Sequence, residues 1–428
     1  MGRAGRAATR GPRSVGKRST SRCGVLRTGG PGGTSVLGPD NHSPACPPSG
    51  AQCTQASGAQ CPRTHCAQCR RPSRAQCASA SGRRPRAGRS AAACSAPGAG
   101  GPLTFVAVTT MALTALHHHH FKAMDCEIGF WLAGVGQATA ARQFADAEAF
   151  IRNAEDALSR FRPTSELSRL NAVGGRQPVS DLLWQVLQAA LDAARLTAGL
   201  FDPTILPALQ AAGYDRSFRE LPAFASARAG LPPTAGHWDA ITTDEATRTV
   251  TLPQGVTLDL GGIAKGWLAD AVVQRLGAYG PCLADLGGDI AARSAPADQP
   301  GWAVGIADPL HPDQDLVVLA LRDAAIATSG RDYRVWNGPL GESRHHIIDP
   351  RTSRPAVTDA LSVSVVAPSA AEAEALAKVA LLLGAGEGAA YLEERGVDGL
   401  VVAADGTVRP TPRFTRLEWS NLTTVGAR

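Results

Sequence analysis

Residues 259–266 read Asp-Leu-Gly-Gly-Ile-Ala-Lys-Gly and join a strand-like segment to a helix-like one. Paired glycines let backbone N–H groups come close to a ligand, and the N-terminus of the following helix favours negative charge. Lys265 adds a compact cation suited to a phosphate group. The segment does not fit the G-x-x-x-x-G-K-[ST] pattern of Walker loops. Alone, such a turn is more often purely structural.

Four further motifs place polar side chains at the ends of predicted elements. Residues 201–204 read Phe-Asp-Pro-Thr and follow a helix, and residues 285–289 repeat the Asp-Leu-Gly-Gly tetrad. Residues 327–330 read Ala-Thr-Ser-Gly and end a strand, and residues 345–352 read His-His-Ile-Ile-Asp-Pro-Arg-Thr and precede another. An isolated histidine is usually structural and Asp-Pro is usually a turn. Each motif is therefore weak alone, and their order carries the information.

The elements that must position these motifs follow from hydrophobic periodicity. Strands and helices run in blocks rather than in strict βαβ alternation, so we predict an α+β fold. The pattern predicts helices over 141–160, 182–198, 266–276 and 370–383, strands over 302–306, 315–321, 325–328 and 361–366, a hairpin arm over 249–260, a final hairpin over 400–408, and a loop over 222–236.

The first quarter of the chain differs in composition from the rest. Residues 1–110 hold 16 of the 43 Lys and Arg residues and one acidic residue, which leaves 27 basic and 36 acidic residues for the body. This leader is rich in Gly, Pro, Ser and Arg and poor in large apolar side chains. Such a segment cannot bury enough surface to offset its ordering entropy, so we predict that it is disordered.

Eight of the ten cysteines lie in this leader, and four of them end an Ala-Gln-Cys triplet that repeats every eight residues. One interpretation is a zinc or disulfide array with Cys66 and Cys69 as a C-x-x-C pair. The other is low-complexity sequence, or upstream DNA translated from a mis-assigned start codon. The absence of an apolar scaffold around the cysteines favours the second. The body has only Cys126 and Cys282, which argues against a disulfide-stapled fold.

The sequence gives few targeting signals. An apolar run at 103–116 follows basic residues but is not followed by a small-residue cleavage site, and no segment reaches the ~20 apolar residues of a membrane span. We therefore expect no transmembrane span and favour a cytoplasmic location, with export or membrane association left open. A histidine run at 117–120 could bind metal, but an incidental run is the favoured reading.

The order of the motifs, together with Met124 and residues 161–168, resembles the FAD:protein FMN transferases, the ApbE-type family. The resemblance covers about residues 121–409 and is specific as a combination. It implies an α+β fold of two subdomains with FAD in the cleft between them. We accordingly divide the chain into a leader at 1–110, a flavin transferase domain at 121–410 and a C-terminal tail at 411–428.

The family resemblance implies a phosphoryl-type transfer. An acceptor protein's Ser or Thr oxygen attacks the FMN phosphorus of FAD, and AMP leaves. His346, which precedes the Ile-Asp-Pro motif, matches the proposed base for the acceptor hydroxyl. The positions that match FAD contacts are Met124, Leu200, Phe201, Asp202, Asp259, Lys265 and Ile348.

The family also uses Mg²⁺, and here the sequence departs from the family pattern. The implied ligands are the backbone carbonyl of Gly262 and the carboxylate of Glu374, which stands where the family has Asp. Lys378 stands where the family has a ligating Thr. An ammonium about 4 Å from Mg²⁺ would be repelled by ~8 kcal/mol at an effective dielectric of roughly 20. Lys378 could pair with Glu374, replace a metal against the diphosphate, or mark a protein that binds FAD without transferring it.

An active transferase is the preferred function. The alternatives are an FAD-binding protein without transferase activity and an FAD pyrophosphatase that releases FMN and AMP without an acceptor. The expected partner is an acceptor flavoprotein with a Ser or Thr flavinylation site. Nucleic acid is not expected, because the basic leader lacks interleaved aromatic residues and a fold. The oligomeric state is left open.

Overall fold

The computed structural model describes residues 115–221, 235–338 and 341–419, together with the backbone of two short leader strands. The predicted leader at 1–110 and its cysteine repeats therefore lie almost entirely outside the described residues, as does most of the predicted loop at 222–236. Within the described part, Cys126 and Cys282 are free thiols. No described helix is long and apolar enough to cross a bilayer.

The described part of the chain contains seven α-helices with clear local causes. The buried side chains of the first helix, such as Phe144 and Ile151, recur at helical spacing and form one apolar stripe. Ser165, Ser180 and Ser369 each begin a helix, and each side chain accepts a backbone N–H three residues on. The helices are α1 Gln137–Leu158, α2 Glu166–Val173, α3 Asp181–Leu196, α4 Leu206–Ala211, α5 Ala264–Leu276, α6 Ala370–Leu383 and α7 Ala385–Glu394.

The strands are short and almost all pair with sequence neighbours. They are β1 Val25–Leu26, β2 Thr34–Leu37, β3 Leu116–Ala123, β4 Cys126–Ala133, β5 Gly175–Pro178, β6 Thr242–Asp244, β7 Thr249–Leu252, β8 Cys282–Leu286, β9 Ile290–Arg293, β10 Trp302–Ala307, β11 Asp315–Leu321, β12 Ala324–Gly330, β13 Val335–Asn337, β14 Ser343–His345, β15 Ile348–Asp349, β16 Arg354–Pro355, β17 Ala360–Ala367, β18 Asp398–Ala403 and β19 Val408–Pro410.

An eight-stranded antiparallel sheet forms the centre, in the order β19-β18-β17-β12-β9-β8-β4-β3. Helices α5 and α6 pack on one face, where α6 lies against β12 and β17. On the other face, Trp131 of the central sheet and Trp302 of β10 belong to one buried apolar cluster, which also includes Phe414. A second sheet joins β11, β10, β2 and β1. The predicted α+β class is confirmed.

Helices α5 and α6 approach each other closely at Gly266. A Cβ atom on this residue would lie 2.5 Å from the carbonyl oxygen of Ala370, so a side chain does not fit here. Asp270 accepts the backbone N–H groups of Ala370 and Ala371 at 2.8 and 3.1 Å, and burial raises its pKa to about 6. This contact fixes the Gly-rich turn before α5 against the helix that carries Glu374.

The sequence predicted most long elements but missed the first hairpin. The predicted helix 370–383 and strand 315–321 are confirmed residue for residue as α6 and β11. The predicted hairpin arm 249–260 is strand only over β7, and its remainder forms the turn that leads to α5. The histidine run lies in β3, where His119 stacks on Phe144 and its Nε2 lies 2.6 Å from Glu148.

Candidate active site

A cleft of about 440 Å³ lies where several turns and strand ends meet. That volume falls within the range of ligand pockets. The lining comes from the β3–β4 turn, the segment 200–209, the turn before α5, the β8–β9 turn, the end of β12, the segment 346–350 and the inward face of α6. All five motifs found in the sequence therefore contribute to one cavity.

Asp259 organises the Gly-rich turn before α5. Its backbone N–H donates to the Pro203 carbonyl at 2.8 Å, and its Oδ1 accepts the N–H of Gly261 at 2.7 Å. Its Oδ2 lies 2.6 Å from Nε of Arg160, and the two side chains are 8% and 7% exposed. Both carboxylate oxygens are thus engaged by the protein, which indicates that Asp259 positions the turn and the arginine.

Arg160 was not singled out from the sequence, although it directly precedes the motif at 161–168. Its guanidinium lies 4.1 Å from the ring centre of Phe161 and 4.6 Å from that of Tyr214. Within the described residues its buried Nη2 has no hydrogen-bond partner. A buried cation between two aromatic faces, with one donor unused, is suited to hold an acceptor group of a ligand.

The segment at 200–204 brings three predicted residues to the cleft. Leu200, Phe201 and Asp202 all line it, and Phe201 and Asp202 are buried. Oδ1 of Asp202 accepts both the backbone N–H and the hydroxyl of Thr204 at 2.7 Å, which closes the Asp-Pro turn. Oδ2 of Asp202 is buried without a partner among the described residues, so it remains an acceptor for a donor supplied by a ligand.

The second Asp-Leu-Gly-Gly tetrad forms the β8–β9 turn on the cleft wall. Asp285 is fully buried, its Oδ1 accepts the Gly288 N–H at 2.8 Å, and burial raises its pKa to about 8. Gly287 has φ +70°, and a Cβ atom there would lie 2.8 Å from that of Cys126. Both the backbone conformation and the available space therefore require a glycine at position 287. The neighbouring Cys126 thiol is itself buried, which raises its pKa to about 11.

A chain of alternating charges crosses the floor of the cleft. Lys265 pairs with Asp289 and lies 3.6 Å from Oε1 of Glu374, and Lys378 Nζ lies 3.1 Å from the same oxygen. Burial alone would raise the pKa of Glu374, but the two lysines and the Gly266 N–H hold it below its usual value. Burial lowers the pKa of Lys265, and the charge of Glu374 opposes that shift.

The two adjacent histidines have different environments. His345 is structural: its Nε2 lies 3.0 Å from the Ala356 carbonyl and its Nδ1 accepts the Ile347 N–H at 3.3 Å. His346 lines the cleft, and its buried Nδ1 has no partner among the described residues. Burial and the charge of Arg334 hold the pKa of His346 well below its usual value. The lowered pKa favours the neutral imidazole, and its Nδ1 is open to a partner supplied by a ligand.

Met124 is the one predicted FAD contact that does not line the cleft. It lies in the β3–β4 turn with φ 52°, next to Asp125 at φ 60°, a backbone conformation that costs energy in residues with side chains. Its N–H donates to Oε1 of Glu155 at 2.9 Å. Asp125, Cys126 and Glu127 line the cleft instead, so the turn contributes through its second half.

The remaining predicted residues come together, and the structure adds others. Asp259, Lys265, Ile348, Gly262 and Glu374 all line the cleft with Leu200, Phe201, Asp202 and His346. Side chains that the sequence reasoning did not single out are Arg160, Tyr214, Asp289, Asp332 and Arg334. Of these five, Asp289 carried a signal in the sequence, because it directly follows the repeated Asp-Leu-Gly-Gly tetrad.

The arrangement does not fit the Mg²⁺ ion that the family resemblance implies. Oε2 of Glu374 accepts the Gly266 N–H at 3.0 Å, and its Oε1 faces two ammonium groups. The Lys378 side chain lies over Gly262, with its Cε 3.1 Å from the position of a Cβ atom there. Across the described residues, no cluster of three or more His, Cys, Asp or Glu side chains could hold a metal ion.

This α+β fold brings two Gly-rich turns, two lysines and a histidine around one cleft, an arrangement suited to a phosphorylated ligand. The model of the ApbE family matches residues 123–401. The chain belongs to this family. It is 39% identical over 277 residues to the FAD:protein FMN transferase of Treponema pallidum, covering 60% of this chain and 76% of that protein. It is 30% identical over 267 residues to the enzyme of the same name from Vibrio cholerae, covering 59% and 76%.

Solved structures of the family share the fold. The ApbE protein of Thermotoga maritima superposes with a TM-score of 0.63 at 23% identity, covering 71% of this chain and 99% of that one. The apo form of the Pseudomonas stutzeri flavinyl transferase ApbE gives a TM-score of 0.60 at 22% identity, covering 71% and 97%. At these identities the likeness speaks for the fold alone.

Proposed function

We propose that this chain is an FAD:protein FMN transferase that binds FAD in the cleft between α6 and the two Gly-rich turns. The proposal is supported by its family membership and by the meeting of all the sequence motifs in one cavity. The cleft offers cations for phosphate oxygens in Lys265 and Lys378. It also offers buried, unpartnered polar atoms on Arg160 and Asp202 for the rest of the ligand.

The observation that carries the proposal is the state of His346. Phosphoryl transfer to a hydroxyl requires a base that takes the hydroxyl proton as the oxygen attacks. His346 is the candidate base, because it lines the cleft and its Nδ1 has no partner among the described residues. The acceptor oxygen forms a bond to the FMN phosphorus, the bond from that phosphorus to the AMP oxygen breaks, and His346 receives the acceptor's proton.

The protein's own groups account for the remaining requirements of this step. Lys265, held by Asp289 and Glu374, is fixed where negative charge gathers on the phosphate oxygens. Arg160, held by Asp259, fixes a second polar part of the ligand. The acceptor is a protein that presents a Ser or Thr hydroxyl to the cleft that His346 lines. We propose a cytoplasmic location for the activity.

A specific observation favours a second function, FAD binding without transfer. Lys378 occupies the helix position of a family metal ligand and lies against Gly262. If catalysis in this chain required the metal, the cleft would bind FAD but would not transfer the FMN group. An FAD pyrophosphatase, which would pass the FMN group to water, is the third candidate.

Incubation with FAD and candidate acceptor proteins separates the three functions. Transfer gives AMP together with flavin fluorescence that stays on an acceptor band in a denaturing gel. Hydrolysis gives equal amounts of AMP and free FMN, and binding alone gives neither product. His346→Gln should slow the appearance of acceptor fluorescence by about a hundredfold or more while FAD still binds. A wild-type chain that releases free FMN with AMP in every reaction would overturn the transferase proposal.

A further inference from the structure

We propose that Lys378 is a built-in cation of this site, which takes over charge neutralisation of the FAD diphosphate so that the chain needs no divalent metal. The inference rests on the proposed function, because it concerns how the same cleft holds the same ligand. It is argued from the position of the lysine, from the occupancy of Glu374 and from the charge balance of the cleft floor.

The position of Lys378 is fixed by its neighbours. It lies on α6 one turn after Glu374, and its Nζ is 3.1 Å from Oε1 and 3.4 Å from the backbone oxygen of that residue. Its Cε lies against Gly262, whose lack of a side chain leaves room for the lysine stem. The lysine side chain is 18% exposed. It therefore lines the cleft and does not extend into solvent.

Both carboxylate oxygens of Glu374 already have partners in the protein. Oε2 is committed to the Gly266 N–H at the first turn of α5, and Oε1 lies between the ammonium groups of Lys378 and Lys265. A metal bound to Oε1 would have to displace an ammonium from a side chain that is 3% exposed. The cost of removing that ammonium would add to the charge repulsion from the lysine that remained nearby.

The charge balance of the cleft floor points the same way. Lys265 and Lys378 match Glu374 and Asp289 in number, so these four side chains carry no surplus negative charge that would attract a metal ion. A site with Asp and Thr at positions 374 and 378 would lack one of these cations and would need an external one. The diphosphate of FAD carries negative charge on both phosphates, and Lys378 lines the same cleft as Lys265, so its ammonium can serve a diphosphate bound there.

Two binding measurements test the inference without an acceptor protein. The first titrates FAD by fluorescence into the full-length chain, in EDTA and in millimolar Mg²⁺. The second titrates Mg²⁺ alone into the same protein by calorimetry. We expect FAD affinity to change less than about twofold between the two conditions, and we expect no stoichiometric Mg²⁺ binding.

Three variants test whether the charge of Lys378 is what makes FAD binding independent of Mg²⁺. The double change Glu374→Asp with Lys378→Thr should weaken FAD binding in EDTA by about tenfold to a hundredfold, the effect of losing one charge-assisted contact, and Mg²⁺ should restore it. Lys378→Ala should lose the same affinity without recovery. Arg152→Thr is the matched control, because Arg152 forms the same i,i+4 pair with Glu148 on α1, outside the cleft. It should leave FAD affinity unchanged.

Each contrary outcome has one meaning. FAD affinity in the wild type that falls tenfold or more in EDTA, or a stoichiometric Mg²⁺ site in calorimetry, would overturn the inference and leave the transferase proposal intact. Equal or tighter FAD binding by Lys378→Ala would show that the lysine obstructs the site, and would also overturn it. A wild type that binds no FAD in either condition would refute the proposed function and this inference together.

Discussion

Breaking the buried pair of Arg160 and Asp259 should cost far more than breaking an exposed ion pair. Nε of Arg160 lies 2.6 Å from Oδ2 of Asp259, and both side chains are more than nine-tenths buried. Asp259→Asn leaves the guanidinium between Phe161 and Tyr214 without its counter-charge. Removal of one partner from such a pair typically costs about 3–5 kcal/mol of unfolding free energy. We expect a loss of that size.

A double-mutant cycle separates the pair from its surroundings. Arg160→Met keeps an apolar stem between the two rings but leaves Asp259 with only the Gly261 N–H. The double variant contains no uncompensated charge, so it should be no less stable than the worse single variant. The coupling free energy should then be about 2 kcal/mol or more. Urea unfolding followed by tryptophan fluorescence measures all four proteins.

The cycle also decides the role of Asp259 in ligand binding. Both of its carboxylate oxygens are held by the protein, so the double variant should lose FAD affinity through Arg160 and the turn, and not through a direct Asp259 contact. Additive single effects, with a coupling below about 0.5 kcal/mol, would refute the reasoning. They would mean that solvent reaches the pair and screens it.

Three further outcomes follow from the same structure. Gly266→Ala should lower the unfolding free energy by about 1–3 kcal/mol, because its Cβ would lie 2.5 Å from the Ala370 carbonyl oxygen. Gly386→Ala, on an open face of α7, should raise the unfolding free energy by about 0.5–1 kcal/mol. Urea midpoints test both variants, and equal shifts would contradict the α5–α6 contact. Burial raises the pKa of Asp285 to about 8 in the folded state, whereas the unfolded chain loses this proton near the ordinary value of 3.8. Stability should therefore fall as pH rises from about 4 to about 8 and level off above. Asp285→Asn should remove this slope, and a slope that persists in the variant would assign it to another group. His346→Gln should lower the rate of FMN transfer by about a hundredfold or more with FAD affinity nearly unchanged. Because the pKa of His346 is lowered, the wild-type transfer rate should stay constant below the ordinary histidine pKa. A lower melting temperature of the variant with an unchanged rate would make this histidine structural.

The sequence was most informative where one local rule determines an element. Helix α6 has its Ser369 cap, a long apolar run and a terminal glycine, and its predicted bounds are confirmed. The two Asp-Leu-Gly-Gly turns were found for a similar reason. Their glycines are needed for backbone conformation and close approach, as Gly287 shows against Cys126. Such requirements leave a mark in the sequence itself.

Contacts between residues far apart in the chain could not be predicted from a local sequence pattern. The pairing of Arg160 with Asp259, and of Lys265 with Asp289, depends on the tertiary fold, and neither pair has a periodic signature. The β3–β4 hairpin was missed for a different reason. Four consecutive histidines suggested either a metal-binding run or an incidental one, and His119 packs on Phe144 in the edge strand β3. The tertiary packing, and not the residue type alone, determines whether such a histidine run forms part of a strand.

The departure at positions 374 and 378 was visible in the sequence, but its consequence was not. From the sequence, three roles of Lys378 remained open: pairing with Glu374, replacing a metal against the diphosphate, or marking a protein that binds FAD without transferring FMN. The structure pairs Lys378 with Glu374 inside the cleft and commits the other carboxylate oxygen to Gly266. These contacts give the metal-free interpretation a physical basis that the spacing alone did not provide.

A crystal structure of the full chain with FAD, grown in EDTA, tests the central claim most directly. The account predicts the FAD diphosphate in the cleft, with a phosphate oxygen within hydrogen-bonding distance of Lys265 or Lys378 and the FMN phosphorus facing His346. FAD bound outside this cleft, or a diphosphate on the far side of the cavity from both lysines and His346, would contradict it.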